Sequence, residues 1–222
     1  MDIEKCWYKD VCNLDCYNSC IRFNSMISLC QKSNLSENNW IPKKLYANDR
    51  DRQAFKYLST IKSDIVNFVE NGNSLYLYSQ NSGNGKTSWA IKLLLAYFDR
   101  VWHKKAFDCA GVFINTQSFI FKNKENISNP TKEFEELKQN ILSSDLVIWD
   151  DIASARLSEY DYQLLLTFIN TRKLNGKSNL YTGNCDQNGC NEFLGQRLSS
   201  RVWNDSIIIG LVEPDKRGEN YD

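Results

Sequence analysis

The stretch of sequence that decides the fold is Ser79-Gln80-Asn81-Ser82-Gly83-Asn84-Gly85-Lys86-Thr87. It follows an apolar run at residues 75–78 that predicts a short buried strand, and it precedes a helical pattern over residues 87–102. A glycine-rich loop between a strand and a helix is typical of phosphate binding, because its backbone N–H groups turn inward around phosphate oxygens. The N-terminus of the following helix adds partial positive charge at the same place.

The side chains of this loop have separate expected roles. Lys86 is expected to reach the β- and γ-phosphates, and the Thr87 hydroxyl is an expected Mg²⁺ ligand. The other residues expected to contact the nucleotide are Ser82, Gly83, Asn84, Gly85 and Ser88. Gln80 departs from the usual G-x-x-x-x-G-K-[ST] pattern, since it stands where the first glycine is expected. The later glycines lie where the backbone must approach phosphate, so the loop is expected to tolerate Gln80; an ordinary Gly/Asn turn is the alternative.

A second motif is the apolar run Leu146-Val147-Ile148-Trp149 followed by Asp150 and Asp151. At the carboxyl end of a strand, Asp150 is expected to lie beside the phosphate loop and hold Mg²⁺ through water. Asp151 is expected to orient or deprotonate the attacking water. Many buried strands end in aspartate, so the motif gains its weight from its order along the chain, one predicted strand after the phosphate loop.

The remaining pattern predicts an α/β fold with a five-stranded parallel sheet. Short apolar runs predict strands near residues 75–78, 112–114, 146–149, 179–182 and 207–209. Helical spacing is found over residues 55–69, 87–102, 116–123, 131–143, 158–174 and 192–203. Strands that alternate with helices and are apolar on both faces favour a parallel sheet covered on both sides.

Composition limits the class of protein. The 222 residues carry 27 basic and 27 acidic side chains, so the net charge is zero and bulk electrostatic coating of nucleic acid is excluded. The 42% of hydrophobic residues exclude a disordered chain. No apolar run approaches a membrane span and the N-terminus lacks the pattern of a secretory signal, so a cytoplasmic protein is expected.

Residues 1–45 differ from the rest and predict a separate small module ahead of an ATPase domain at residues 46–222. Four cysteines spaced within fifteen residues are candidate Zn²⁺ ligands: Cys6, Cys12, Cys16 and Cys20. Cys30 is a spare candidate ligand. An Fe–S cluster uses the same ligands, and plain free thiols are the third possibility.

Three segments together resemble the AAA+ ATPases: residues 83–87, Asp150-Asp151 and Tyr181-Thr182-Gly183-Asn184. Over residues 46–211 the chain is most similar to the DnaC/DnaI-type helicase loaders and the related IstB-like transposition ATPases. The resemblance implies that Asn184 contacts the γ-phosphate or the lytic water; a turn residue is the alternative. Helicase loaders often carry a zinc-binding N-terminal module, so the resemblance also favours zinc.

Residues 195–203 resemble the R-L-x-S-R segment of the same group. The resemblance implies that Arg201 is an arginine finger, inserted into the nucleotide site of a neighbouring subunit and supported by Arg197. Ordinary ion pairs with surface carboxylates are the alternative for both arginines. About a dozen residues follow the fifth predicted strand, too few for the usual AAA+ lid, so weak hydrolysis that depends on a neighbouring subunit or a partner is expected.

The function implied by the resemblance is Mg²⁺-dependent ATP hydrolysis coupled to loading of a replicative DNA helicase onto single-stranded DNA. Phe121 is a candidate for base stacking, with Lys122 and Lys124 at phosphate, although a plain amphipathic helix gives the same pattern. An IstB-like transposition ATPase is one rival function. A clamp that binds ATP without hydrolysing it is the other, because many active relatives have glutamate at the position of Asp151.

Overall fold

The computed structural model describes residues 6–8, 12 and 20–214. Within these ranges the strands are β1 (Ser74–Tyr78), β2 (Gly111–Asn115), β3 (Leu146–Asp150), β4 (Ser178–Gly183) and β5 (Ile207–Gly210). The α-helices are α1 (Ile21–Lys32), α2 (Arg52–Ser63), α3 (Ile65–Glu70), α4 (Lys86–Lys105), α5 (Thr116–Ser128), α6 (Lys132–Ser143), α7 (Glu159–Leu174), α8 (Gln187–Leu194) and α9 (Gln196–Ser199). None of these helices combines the length and the hydropathy needed to cross a membrane.

The five strands form one parallel sheet in the order β2-β3-β4-β1-β5, which confirms the predicted sheet. Strand β4 lies between β1 and β3, with Gly183 opposite Tyr78 and Tyr181 opposite Trp149. In a parallel sheet all strands point the same way, so their carboxyl ends meet at one edge. The residues that follow β1, β3 and β4 are therefore neighbours in space, although they are far apart in sequence.

Alternate side chains of the strands enter two separate cores. In β1, Leu75 and Leu77 pack on the side covered by α1, α3 and α4, whereas Tyr76 packs on the other side with α5, α6 and α7. Strands β1, β3 and β4 are buried on both faces, as the continuous apolar runs predicted, whereas the edge strand β5 leaves Ile207 exposed. The arrangement is a doubly wound α/β sandwich, in which helices on both faces hold the sheet and leave its carboxyl edge open for a site.

Two helix predictions needed correction, and a third helix was missed. The helix predicted over residues 55–69 is two helices, α2 and α3, with a break at Asp64. The helix predicted over residues 192–203 begins earlier, at Gln187, and is interrupted at Gly195, where φ is 73°. After α9 the chain continues as a π-helical turn, Ser200–Asn204, before β5. Helix α1 was not predicted at all, because its cysteine, asparagine and serine content obscured the apolar spacing.

Helix α1 shares its core with the helices of the sheet. Met26, Leu29 and Cys30 are buried in the same cluster as the inner side of α4. Nearer the N-terminus, the Tyr8 hydroxyl and Arg22 both hydrogen-bond to Asp99 of α4. The domain boundary at residue 45 stays a prediction. Helix α1 lies before that boundary and α4 lies after it, yet the two helices pack in one core.

Candidate nucleotide site

The loop residues singled out in the sequence come together at the carboxyl edge of the sheet. They surround a pocket of about 250 Å³. The residues that line it are Ser82, Gly83, Asn84, Gly85, Lys86, Thr87, Ser88, Asp151 and Asn184. The pocket therefore joins the phosphate loop after β1 to the residues that follow β3 and β4, as the strand order requires.

Gly85 shapes the mouth of the pocket. It immediately precedes the first residue of α4 and has a φ of 99°, a backbone conformation that residues with a Cβ atom rarely adopt. An added Cβ would meet only Leu45, at 3.5 Å, so the backbone conformation rather than space requires glycine here. Among the residues that the structure describes, no side chain caps the N-terminus of α4. The N–H groups of its first turn are thus directed at the pocket, which suits an anion.

Lys86 is buried at the start of α4, and its ammonium points into the loop. Nζ donates to the Asn81 carbonyl at 2.8 Å and lies 3.4 Å from Asn84 Oδ1. Both acceptors are neutral oxygens, whereas a phosphate oxygen carries negative charge and forms the stronger, charge-assisted bond. A bound phosphate would therefore compete well for this ammonium.

Two asparagines tie the loop to the chain that follows β5. Asn84 is buried, and its Nδ2 donates to the Leu211 carbonyl at 3.2 Å. Asn81 Nδ2 donates to the carbonyls of Val212 and Glu213, at 3.2 and 3.1 Å. These bonds fix the loop from outside and were not foreseen, because they join residues more than a hundred positions apart.

Asp150 is the buried carboxylate of the site, with 6% of its surface exposed. Its Oδ1 accepts hydrogen bonds from Thr87 Oγ1 at 2.8 Å and from Thr182 Oγ1 at 2.7 Å. No described residue donates to its Oδ2. Burial raises the pKa of Asp150, and the two hydroxyl groups act in the opposite direction. A carboxylate oxygen beside a threonine hydroxyl is the hard donor set that Mg²⁺ prefers, so these residues fit that ion.

Asp151 turns away from the strand that precedes it. Its φ of 54° is left-handed, and the residue lines the candidate nucleotide pocket. The backbone N–H of Asp151 donates to Thr182 Oγ1 at 3.0 Å, and the next N–H, of Ile152, donates to the Thr182 carbonyl at 3.0 Å. Thr182 therefore contacts both aspartates, a role that sequence reasoning missed, although a hydroxyl at the end of an apolar strand was the available signal.

Neither predicted interface arginine lines the nucleotide pocket of its own chain. Arg197 and Arg201 line a separate groove of about 470 Å³ between α7 and the segment that follows Gly195. Arg201 is half-buried, and its Nη1 lies 3.6 Å from Asp205 Oδ2. Such an exposed pair contributes little, so the guanidinium remains available to a partner.

The predicted nucleic-acid residues on α5 have different surroundings. Phe119 and Ile120 are buried, as the amphipathic alternative requires, whereas 62% of Phe121 is exposed. Lys122 is exposed, but Lys124 is paired with Asp161 at 2.9 Å. Phe121 and Lys122 thus retain accessible surface for a ligand, and Lys124 would have to exchange a carboxylate for phosphate.

The cysteine prediction falls partly outside the described residues. Cys16 lies there, whereas Cys6, Cys12 and Cys20 are described. Among the described residues, no group of three or more cysteine, histidine or acidic side chains could hold a metal ion. Cys30 is fully buried in the apolar core, and burial raises its pKa to about 12, which disfavours the thiolate; its role as a spare ligand stays a prediction.

Known structures share this architecture. The crystal structure of the DnaC helicase loader matches with a TM-score of 0.65 and 22% identity over 79% of this chain and 99% of that one. DnaI matches with a TM-score of 0.57 and 14% identity over 79% and 88%. The replication initiator DnaA, bound to AMPPCP and single-stranded DNA, matches with a TM-score of 0.58 and 18% identity over 74% of this chain and 47% of that one.

No protein-family model and no curated protein matches the sequence. At identities below 25%, the structural matches establish the fold. The described chain reaches residue 214, four residues beyond β5, and holds no lid domain. The chain therefore has the fold of the P-loop AAA+ ATPases, as a five-stranded parallel core without a C-terminal lid in its described residues.

Proposed function

We propose that this protein is an ATPase that binds Mg²⁺ and ATP and acts as a loader of a replicative DNA helicase. The observation that carries the first part is the convergence of Lys86, Thr87, Asp151 and Asn184 on one pocket, from three different strand ends. The AAA+ fold supports the adenine nucleotide, since the matched DnaA is bound to AMPPCP. Mg²⁺, when bound, would neutralise phosphate charge.

The side chains divide the work as follows. Lys86 and the N–H groups of the loop and of the first turn of α4 bind the phosphates. Thr87 and Asp150 would hold the metal, since the Thr87 hydroxyl lies beside the Asp150 carboxylate and no described residue donates to Oδ2 of Asp150. Asp151 and Asn184 bind and orient the attacking water, and Asp151 accepts its proton.

ATP turnover is the test of this part. Lys86→Ala is expected to lower turnover at least about 100-fold, because the variant loses the ammonium aimed at the phosphates. Lys56→Ala, at an exposed lysine of α2, is the matched control and should turn over like the natural protein. Equal turnover in the Lys86 and Lys56 variants would contradict the proposed site.

Arg201 is proposed to complete the site of a second copy of the chain. Its position in a groove away from its own nucleotide pocket supports action between subunits. Mixing two inactive variants, Lys86→Ala and Arg201→Ala, should restore part of the turnover, because some interfaces then pair an intact loop with an intact arginine. A mixture that stays inactive, although both variants associate, would contradict a finger acting between subunits.

Helicase loading is supported by the matches to DnaC and DnaI. Binding of single-stranded DNA is supported by the match to DnaA and by the exposed Phe121 beside Lys122. Purified protein with ATP should capture the replicative helicase of its host and should bind an oligonucleotide less tightly after Phe121→Ala. Capture of a transposase instead of the helicase would favour the IstB-like function.

The clamp that binds ATP without hydrolysis is distinguished by single-turnover phosphate release in the presence of DNA and the helicase. Asp151→Asn is the matched variant, since asparagine tolerates the left-handed φ of 54°. Natural protein that releases phosphate, beside a variant that does not, supports hydrolysis. Natural protein without release supports the clamp.

Zinc at Cys6, Cys12, Cys16 and Cys20 is proposed as an accessory site. The spacing of the four cysteines supports it, and the described residues alone do not complete a site. Metal analysis of purified protein should find about one zinc per chain, reduced by Cys16→Ser. Iron with sulfide would identify an Fe–S cluster. Absence of both zinc and iron would indicate that the cysteines are free thiols.

A further inference from the structure

The end of β4 stands at the centre of the nucleotide site, and three consecutive residues there face three different parts of it. Thr182 contacts the corner after β3. The Gly183 carbonyl accepts the N–H of Ser79, the first residue after β1, at 3.2 Å. Asn184 lines the pocket. Strand β4 therefore fixes the position of the phosphate loop relative to the two aspartates.

Gly183 has no room for a side chain, because an added Cβ would collide with the hydroxyl group of Tyr76. That hydroxyl donates to the Cys185 carbonyl at 3.0 Å, so the ring is itself held in place. The backbone at residues 182–184 is thus confined by its neighbours, and a side chain on it has a defined direction.

The Thr182 hydroxyl bonds to two groups of the corner that follows β3. It donates its proton to Asp150 Oδ1, and it accepts the N–H of Asp151. One bond orients the carboxylate of Asp150, and the other holds the backbone of Asp151, the residue that turns left-handed. Thr182 is fully buried, so water does not replace either bond.

We propose that Thr182 is a positioning residue that sets both acidic groups of the site at once: Asp150 for the metal and Asp151 for the water. The inference rests on the proposed ATPase function. By using Oδ1 for its own bond, Thr182 leaves Oδ2 as the open oxygen of Asp150. By holding the Asp151 N–H, it directs the Asp151 side chain into the pocket. Partners of this kind behind metal ligands govern affinity for the metal and activity by about 10- to 100-fold.

The test compares Thr182→Val, which keeps the shape and removes the hydroxyl, with Thr182→Ser, which keeps the hydroxyl and removes the methyl group. Two quantities are measured: the affinity for a fluorescent ATP analogue as Mg²⁺ is titrated, and ATP turnover. In Thr182→Val the Mg²⁺ concentration at half-effect should rise about 10-fold and the maximal turnover should fall about 10- to 100-fold. Affinity for the nucleotide with EDTA should stay within about twofold, because no phosphate contact changes.

Thr182→Ser should retain the natural Mg²⁺ dependence and turnover within about threefold, since its hydroxyl makes the same two bonds. Natural Mg²⁺ dependence and turnover in Thr182→Val would overturn the proposal while the ATPase function stood. Natural protein that shows no Mg²⁺-dependent nucleotide binding would overturn the proposed function itself. Should the valine variant fail to fold, the serine variant decides, because a serine variant with weakened Mg²⁺ dependence would assign the effect to the methyl group and contradict a positioning hydroxyl.

Discussion

The two edges of the sheet both bury charged side chains, and Asp150 and Arg172 show how different their surroundings are. At the carboxyl edge, Asp150 receives two hydrogen bonds on Oδ1 and none from the described residues on Oδ2. At the opposite edge, Arg172 is fully buried and makes no ion pair with the described residues. All of its N–H directions are nevertheless occupied by oxygen atoms of the protein.

The guanidinium of Arg172 joins three elements that begin or end at the amino edge. Its Nε donates to Asn179 Oδ1 at 2.8 Å. Its two terminal nitrogens donate to backbone carbonyls of α6 (Ile141), of the connection between α6 and β3 (Ser144 and Asp145) and of β4 (Ser178). Burial lowers its pKa to about 10, which still leaves the group charged at neutral pH.

The comparison separates structural from functional charge. A buried charge with every hydrogen bond satisfied inside the protein has nothing left for a ligand, and its removal leaves several oxygens without donors. A buried charge with one open atom costs stability and retains that atom for binding. Arg172 is therefore expected to govern folding, and Asp150 is expected to govern chemistry.

The largest expected effect is on folding, in Arg172→Met. The variant leaves the carbonyls of α6, of the connection that precedes β3 and of β4 without these donors, so the free energy of unfolding should fall by about 3–5 kcal/mol. Urea denaturation measures the change. Arg172→Lys is the control, because it keeps the charge but not the planar fork, and it should lose less than the methionine variant. A free energy of unfolding of Arg172→Met within about 0.5 kcal/mol of that of the natural protein would contradict the structural role of Arg172.

The next effect is on chemistry, in Asp150→Asn. The amide keeps an acceptor oxygen for Thr87 and Thr182 but removes the charge, so ATP turnover should fall about 100-fold, or about 2.7 kcal/mol in the barrier. The free energy of unfolding should change by less than about 1 kcal/mol, since the cost of burying the charge disappears together with its hydrogen-bond strength. A loss of stability as large as that of Arg172→Met would make the two charges equivalent.

The smallest expected effect is on stability, in a variant of Asp145 at the amino edge. Burial acts to raise the pKa of Asp145, but ion pairs with Lys177 at 2.8 Å and Lys105 at 3.1 Å outweigh it, and the pKa lies below its usual range. A carboxyl group with a lowered pKa stabilises the fold above its unfolded pKa and loses that contribution as pH falls through its folded pKa. Asp145→Asn should therefore cost up to about 1 kcal/mol at pH 7. The difference from the natural protein should shrink in acid, and a constant difference would contradict the role of these pairs.

The sequence was sufficient for those features that are local along the chain. The phosphate loop and the five strands were predicted, because a contiguous run of residues specifies each of them. The strand order explains why the predicted Asp151 and Asn184 face the same pocket as Lys86. The hydroxyl of Thr182 at the end of β4 was visible in the sequence, but its two partners were not, because they depend on the position of β4 between β1 and β3 in the sheet.

Helix α1 shows the other kind of limit. Its buried residues Phe23, Met26, Leu29 and Cys30 have helical spacing, but polar residues surround them and composition suggested a separate module. Packing against α4 supplies the stabilisation that its sequence lacks. The Tyr8 and Arg22 bonds to Asp99 likewise join residues 77 or more positions apart, beyond the reach of any periodicity.

Calorimetric titration of ATP into the purified protein, with Mg²⁺ and with EDTA, tests the central claim most directly. We expect one ATP bound per chain and tighter binding with Mg²⁺ than with EDTA. ATP binding should be lost under both conditions in Lys86→Ala but not in Lys56→Ala. Absence of binding with Mg²⁺ present, or unchanged binding in Lys86→Ala, would contradict a nucleotide site at the carboxyl edge of this sheet.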